Sequence, residues 1–162
     1  MVKIILFIVI SSFFNLHASE VNDPFEKFNR KTFEFNENLD ELVVKPVAEV
    51  YSEFPVFIKT GVTNFFNNLE NIETSVNQML QGKPGKSLND LTRFIINTSI
   101  GVAGIFDVAS SMGLERNEED FGQTLAVWGV DEGPYIMLPL LGPATLRDTI
   151  SRPISSFTSV IF

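Results

Sequence analysis

Pro55-Val56-Phe57-Ile58-Lys59-Thr60-Gly61-Val62-Thr63-Asn64-Phe65-Phe66-Asn67-Asn68-Leu69 is the stretch whose reading decides the fold. Ile58, Val62, Phe65, Phe66 and Leu69 share one face of a 3.6-residue helix, while Lys59, Thr60, Thr63, Asn64, Asn67 and Asn68 share the other. An apolar stripe therefore stands against a polar one that carries almost no charge. Downstream, Ile72, Val76, Met79 and Leu80 keep the helical spacing, and Gly82 lies where a helix C-terminus favours a left-handed residue. Upstream, Pro55 punctuates the chain. Asp23-Pro24 opens a helix in which Phe28, Thr32, Phe35 and Leu39 form a Phe-rich stripe. Val43-Val44-Lys45-Pro46 is expected to end that helix, because the residue before a proline is pushed out of the α region, and Pro46 to Phe54 form another short one.

Beyond Gly82, Ser87-Leu88-Asn89-Asp90 fits a serine N-cap with an acid three residues later, and the apolar residues from Leu88 to Ile96 carry that helix to Ile100. Gly101 to Phe106 is apolar and glycine-interrupted and should bend; helical signal resumes over 106–111. A polar loop from Gly113 to Asp120 leads to Phe121, Leu125 and Trp128 on one more helical face, ended by Gly129. Tyr135 to Leu138 reads as extended but too isolated for a sheet, and a last helix is expected from near Pro143, interrupted at Pro153. The expectation is an all-α fold.

The chain has 162 residues, a size for one domain, with 44% apolar and 20% charged residues. Met1 to Lys3, the apolar run Ile4 to Ile10 and Leu16-His17-Ala18 read as a signal peptide over residues 1–18, leaving a single domain over 19–162. The apolar run is short for a membrane-spanning anchor, the alternative reading. A net charge of −8 is the wrong sign for a phosphate-pairing surface, so no nucleic-acid partner is expected.

There is no Cys, and the one His is His17, inside the predicted signal. Triads built on His, Cys-His nucleophiles and His-based zinc sites have no residues to use, and neither catalysis nor a cofactor is expected. Gly85-Lys86-Ser87 lacks the earlier glycine of a phosphate loop, and Asn97-Thr98-Ser99 matches a glycosylation sequon inside a helix. Glu118-Glu119-Asp120 could hold a cation or supply acid/base chemistry, but reads better as a solvated loop. Phenylalanine is over-used, 16 residues against one Trp and two Tyr. These Phe faces fit either the core of a soluble helical protein or helices lying in a lipid interface.

Asp23, Pro24, Phe28, Asn29 and Arg30, then Val44-Lys45-Pro46, and Gly133, Pro134, Tyr135 and Pro139 followed by Arg147 and Asp148, resemble the MlaA/VacJ family of outer-membrane phospholipid-transport lipoproteins. Thr92-Arg93-Phe94, Asp107-Val108-Ala109 and Phe121-Gly122-Gln123-Thr124-Leu125 fall where the family pattern expects them. The resemblance implies a ring of short amphipathic helices in one leaflet of the outer membrane, on its periplasmic side, around a central channel. It implies a translocation component that removes mislocalised phospholipid from the outer leaflet, without catalysis, beside a trimeric porin and a soluble periplasmic lipid carrier. Ile58, Val62, Asn64, Phe65, Phe66 and Leu69 would then be lipid-facing or channel positions, and Gly129, Asp131 and Gly133 a hinge loop beside the channel. Two departures stand out: no lipobox cysteine, so attachment should rest on helix faces or a retained signal, and an end at Phe162 where family members continue, which reads as C-terminally incomplete. On the residues alone, the other reading is a soluble periplasmic binding or scaffold protein.

Overall fold

A computed structural model describes residues 23–160; the predicted signal peptide lies outside the described residues. The described chain is mostly helical. Helix α1 (Glu26–Leu39) runs through a π-helical segment (Asp40–Val44) into α2 (Lys45–Ser52). Pro55, extended at φ −55° and ψ 145°, then launches the 25-residue α3 (Val56–Leu80). Gly82, at φ +75°, turns the chain into α4 (Pro84–Ser99), which packs antiparallel along α3 as the largest interface in the fold. Short helices α5 (Val108–Ser111) and α6 (Phe121–Val127) follow. Asp107 caps the first by accepting from Ser110 N, and Asp120 caps the second by accepting from Gln123 N at 2.7 Å. Strands β1 (Tyr135–Leu138) and β2 (Gly142–Thr145) form an antiparallel hairpin, and α7 (Leu146–Val160) completes the order.

Five local expectations are corrected. Lys45 stays helical at φ −58° and ψ −52°, because the π segment widens the turn: Lys45 N donates to Asp40 O, five residues back, and the ladder has already changed step where Pro46 withholds its N–H. Ser87 is no N-cap. Pro84 starts the helix, Pro being pre-shaped for a first turn, and Ser87 is buried inside it. Tyr135 to Leu138 does find a partner, since Leu140 at φ +68° and Gly142 at φ +75° fold Gly142–Thr145 back against it in the register Tyr135 to Thr145. The fold is thus mostly helical rather than purely α. Pro143 lies in β2, and α7 starts at Leu146 behind a reciprocal cap in which Asp148 N donates to Thr145 Oγ1 and Thr145 N to Asp148 Oδ2. Finally, α7 continues through the exposed Pro153, held by packing against α3 and α6 at the cost of one ladder bond.

The interior is polar. Among the described residues, the buried apolar ones are Ala109, Met137 and Ala144, against fourteen buried polar or charged ones. Large apolar side chains stand outside on nearly every helix: Phe28, Phe33 and Phe35 on α1, Val47 and Val50 on α2, Phe57 and Phe66 on α3, Ile95 on α4. Of the stripe on α1, Phe28 and Phe35 are therefore exposed and Thr32 alone is buried, beside Asn29.

That inner face docks α1 on the hairpin. Asn29 accepts from Met137 N at 2.7 Å and donates to Tyr135 O at 3.2 Å, while its amide nitrogen also lies 2.9 Å from Asp23 Oδ2. Two turns on, Asn36 accepts from Leu140 N at 2.9 Å and donates to Leu138 O at 3.0 Å. Two carboxamides thus stand in for a neighbouring strand along the edge of β1, and the Asp23-to-Asn29 motif supplies the first. Asn29→Leu should destabilise the protein by about 2 kcal/mol, since it leaves a buried N–H and C=O unmet. Asn38→Leu should cost little, because Asn38 bonds only to Glu34 O on the surface. Melting temperatures of the two variants in detergent micelles check this.

Candidate functional site

The α3–α4 interface is built from amides and hydroxyls. Helical spacing puts Asn68, Asn71, Ser75 and Gln78 on one face of α3, and all are buried. Opposite, α4 turns in Ser87, Asp90, Arg93 and Asn97. Asn68 donates to Thr98 Oγ1 at 2.8 Å, and Ser75 donates to Ser87 O at 2.9 Å. Asn77 Oδ1 accepts from Thr124 Oγ1 at 2.8 Å, tying α6 to α3. Asp90 reaches Asn117 Nδ2 at 2.9 Å and so fixes the loop before α6.

Not every polar atom in this seam is matched. Gln78 is wholly buried, and both atoms of its carboxamide, together with Asn68 Oδ1 and Asn71 Oδ1, lack a hydrogen-bond partner among the described residues. Each such atom carries a desolvation cost of roughly 1–3 kcal/mol.

At one end of the seam Arg93, 1% exposed, grips Asp107 with Nη2 3.1 Å from both carboxylate oxygens and Nη1 3.1 Å from Ser110 Oγ, and Nη1 also donates to Leu114 O. Burial alone would raise the Asp107 pKa. The hydrogen bonds from Ser110 Oγ, Asn97 Nδ2 and Ser110 N, together with the Arg93 charge, outweigh it and hold the carboxyl at about 2.

Beside the middle of α3 opens a cleft of about 470 Å³ lined by Glu70, Glu73, Arg116, Glu118, Glu119 and Asp120 among others. Arg116 pairs with Glu70 at 2.7 Å and Glu118 at 3.2 Å, and Lys83 pairs with Glu119 at 2.9 Å. Asp120 is spent on the cap of α6. The three acids of the loop therefore face different partners, and among the described residues no cluster of three or more ligating side chains gathers for a metal. Burial tends to raise Glu119, but the hydrogen bonds from Lys83 and Gln81 and the charges of Lys83 and Lys86 bring it below the usual carboxylate range. Glu73 moves the other way: burial raises it, Asp120 and Glu70 add to that, and a hydrogen bond with Ser155 opposes it.

The sequence-derived site residues fall in three places. Ile58, Val62 and Phe66 are exposed on the first half of α3, with Phe65 and Leu69 half-buried and Asn64 donating to Ile105 O at 3.0 Å. Gly129 and Gly133 have left-handed φ of +87° and +69°, and Asp131 is exposed between them. Arg147 holds that loop by donating to Val130 O at 3.0 Å, with its own N bonded to Glu132 O. Asp23, Asn29, Tyr135 and Asp148 are structural in the ways given above; Arg30 pairs with Glu26 at 2.8 Å on the surface, Phe28, Pro24 and Pro139 are exposed, and Pro134 O accepts from Leu146 N. The structure does not bring the three groups into one pocket. Gln78, Asn71, Arg93 and Asp107 were not read as site residues; the polar face opposite the Phe stripes was the available signal.

A family model described as MlaA lipoprotein matches residues 21–161. The chain is 43% identical over 132 residues to the intermembrane phospholipid transport system lipoprotein MlaA of Escherichia coli, covering 78% of this chain and 53% of the relative. It is 38% identical over 134 residues to the protein of the same name from Haemophilus influenzae, covering 80% and 54%. A protein of Rickettsia typhi is 42% identical over 139 residues, 85% and 55%. The chain spans about half the length of the curated relatives it matches. A solved structure concerning the structural basis for maintenance of bacterial outer membrane lipid asymmetry aligns with a TM-score of 0.70 and 36% identity, covering 86% of this chain and 79% of its own.

Removing the Arg93 partner from Asp107 should destabilise the fold. Arg93→Met is expected to cost about 1–3 kcal/mol, because Leu114 O loses its guanidinium donor while Asp107, itself partly exposed, keeps Asn97 and Ser110. Because the folded-state pKa of Asp107 lies below its ordinary 3.8, its stabilisation is complete above about pH 4 and drains away as pH falls towards 2. Melting temperature followed over that window should drop more steeply in the wild type than in Asp107→Asn.

Proposed function

The chain belongs to the MlaA lipoprotein family, and on that premise we propose that it is a phospholipid translocation component of the outer membrane. It removes mislocalised phospholipid from the outer leaflet and so maintains lipid asymmetry. The single observation that carries this reading is the reversed distribution of polarity among the described residues: three buried apolar side chains, a belt of exposed Phe, Val, Ile and Leu, and a carboxamide-lined interior. In water such a belt would drive aggregation. In the acyl region of a leaflet it is solvated, and the interior offers a headgroup the polar atoms that lipid tails cannot.

On this reading the helices lie in the periplasm-facing leaflet and ring a central channel. No helix among the described residues is long and apolar enough to cross a membrane, so residence there would rest on amphipathic faces. Residues 19–162 act as one domain after a signal peptide over 1–18. The α3 face carrying Ile58, Val62, Asn64, Phe65, Phe66 and Leu69 meets lipid, and the loop with Gly129, Asp131 and Gly133 is the hinge beside the channel. The work is transport without catalysis. A trimeric porin supports the ring, and a soluble periplasmic carrier accepts the lipid.

Deletion should raise outer-leaflet phospholipid and detergent sensitivity, both reversed by a plasmid copy; unchanged asymmetry would remove the function. Fractionation adds a check: recovery with the outer membrane is expected, whereas release into a salt wash would favour a soluble periplasmic binding or scaffold protein. For the hinge, a Cβ at Gly129 would meet no neighbour within 4 Å, but Gly129→Phe must adopt φ +87°. It should cost only about 1–2 kcal/mol of stability while reducing lipid flux several-fold in the complemented strain.

A further inference from the structure

Helix α1 has three faces. Asn29 and Asn36 turn in to the edge of β1, and Phe28 and Phe35 are exposed on a second face. On the third, Glu26 and Glu37 stand about 180° round the helix from Phe35 and Phe28, at about 100° per residue. Between this third face and the hairpin run two furrows of about 480 and 300 Å³ that share Phe33, Glu37 and Met137 and so form one groove. From Glu26 to Glu41 it follows the chain for about 22 Å.

The walls of the groove carry Asp23, Glu26, Glu34, Glu37, Asp40 and Glu41 against two cations, Arg30 and Lys45. Both cations are already engaged: Arg30 pairs with Glu26 at 2.8 Å, and Lys45 lies 3.5 Å from Asp40 and 4.0 Å from Glu41. Glu34 and Glu37 are exposed and have no cation in ion-pair range among the described residues. The acids follow one another along the helix instead of converging, and among the described residues no group of three or more gathers for a metal ion. Between them the floor is apolar, with Phe33 and Tyr135 exposed beside the buried Met137. A row of carboxylates over an aromatic floor complements a row of cations with an apolar residue among them, which describes a protein segment and not a single ion.

The other charges of α1 indicate which medium the groove faces. Lys27 and Lys31 are exposed on the flank between the acids and the Phe28–Phe35 face, and neither has a carboxylate in ion-pair range among the described residues. Cations bordering an apolar face suit the headgroup level of an anionic leaflet, where carboxylates would be repelled. With Phe28 and Phe35 among acyl chains, the acidic groove on the far side of the helix opens to water.

We propose that this groove docks a basic segment of a water-soluble protein, its Lys and Arg side chains on Glu34, Glu37 and their neighbours and an apolar residue on Phe33 and Tyr135. The proposal rests on the membrane reading above, which turns the groove to the aqueous side, and adds to it a charged surface directed away from lipid. The test places the photoreactive residue p-benzoylphenylalanine at Phe33, inside the groove, or at Phe35, on the opposite face. The full-length protein in each form replaces the native copy, and intact cells are irradiated. Mass spectrometry should find position 33 joined to another protein through a segment rich in Lys or Arg, and position 35 joined to phospholipid. Glu34→Lys with Glu37→Lys should lower the protein adduct about tenfold, whereas Glu49→Lys with Glu53→Lys, the same change in net charge at exposed residues outside the groove, should leave it within about twofold. Reversing the cations of the captured segment to Glu should restore the adduct in the Glu34→Lys, Glu37→Lys protein.

No protein adduct at position 33, a captured segment without cations, or a yield equally lowered by both pairs of substitutions would overturn the docking groove while leaving the membrane reading intact. So would an adduct of twice the protein mass, which would make a second copy the occupant, or phospholipid captured at position 33 as abundantly as at position 35, which would put the groove in the leaflet. Protein recovered in a salt wash, with no phospholipid adduct at position 35, would sink both this proposal and the reading it rests on.

Discussion

A carboxamide removed from water must find another polar group, and this fold is organised around that demand. Asn29 and Asn36 serve the edge of β1, Asn68 reaches Thr98, Asn77 receives Thr124, and Asn97 bonds both Asp107 and Ala109 N at 2.9 Å. A net hydrogen bond contributes only about 1 kcal/mol, so a polar interior is a weak way to hold a protein together in water. It becomes a stronger one where the alternative for each amide is hydrocarbon. The same sum bears on the outside: Phe57 and Phe66, 76% and 58% exposed, contribute little to stability in water, and on the proposed membrane reading they would be favourably placed among acyl chains.

Long-range tethers rather than a shared apolar core connect the short elements. Arg93 joins α4 to the cap of α5 and to Leu114, Asp90 joins α4 to Asn117, and Gln81 reaches Glu119 and Thr124 across the turn after α3. Each tether fixes a backbone group or a cap, so the position of α6 follows from α3 and α4 together. This is costly where a charge is involved: Arg93 is buried and bonds through both terminal nitrogens, while its Nε finds no partner among the described residues. The carboxylate of Asp107 is correspondingly met from four directions, by Arg93, Asn97, Ser110 N and Ser110 Oγ.

Local punctuation was legible in the sequence; the direction of the helix faces was not. Pro55, Gly82 and Gly129 begin or end the elements they were expected to, and the apolar and polar stripes of 55–69 are those of a helix. Periodicity separates two faces without saying which turns inward, because that depends on the medium. Local rules also failed where a neighbour overrode them. Ser87 has the pattern of a cap, but Pro84 starts the helix first and burial turns the hydroxyl to Ser75. Pro46 reads as a break only if the ladder stays in α register. The hairpin is not legible because its second strand, Gly-Pro-Ala-Thr, has no strand propensity of its own and is held by its register on β1, whose other edge is met by Asn29 and Asn36. For the site, the family motif pointed to Asp23, Asn29 and Arg147 as residues that matter, and geometry shows them to be fasteners. Gln78 and Asn71 needed the packing of α4 before their unmatched atoms meant anything.

The fasteners constrain how the proposed hinge could work. Three consecutive contacts tie the loop to the start of α7: Val130 O to Arg147 Nη1, Glu132 O to Arg147 N and Pro134 O to Leu146 N. A Cβ on Gly133 would sit 3.0 Å from Leu146, so the loop's far end is pressed against that helix as well. Gly129 has no such neighbour. A loop gripped at 130, 132 and 134 cannot flex freely at Gly133; it must turn about Gly129 as one piece with the first turn of α7. That turn is capped by Asp148, whose Oδ1 would stand 3.2 Å from a Cβ on Gly122 of α6. Motion at the loop would therefore be felt at the α6–α7 contact, and through Thr124 at Asn77 on the buried face of α3. The mechanical link between hinge and polar seam would run through packed helices.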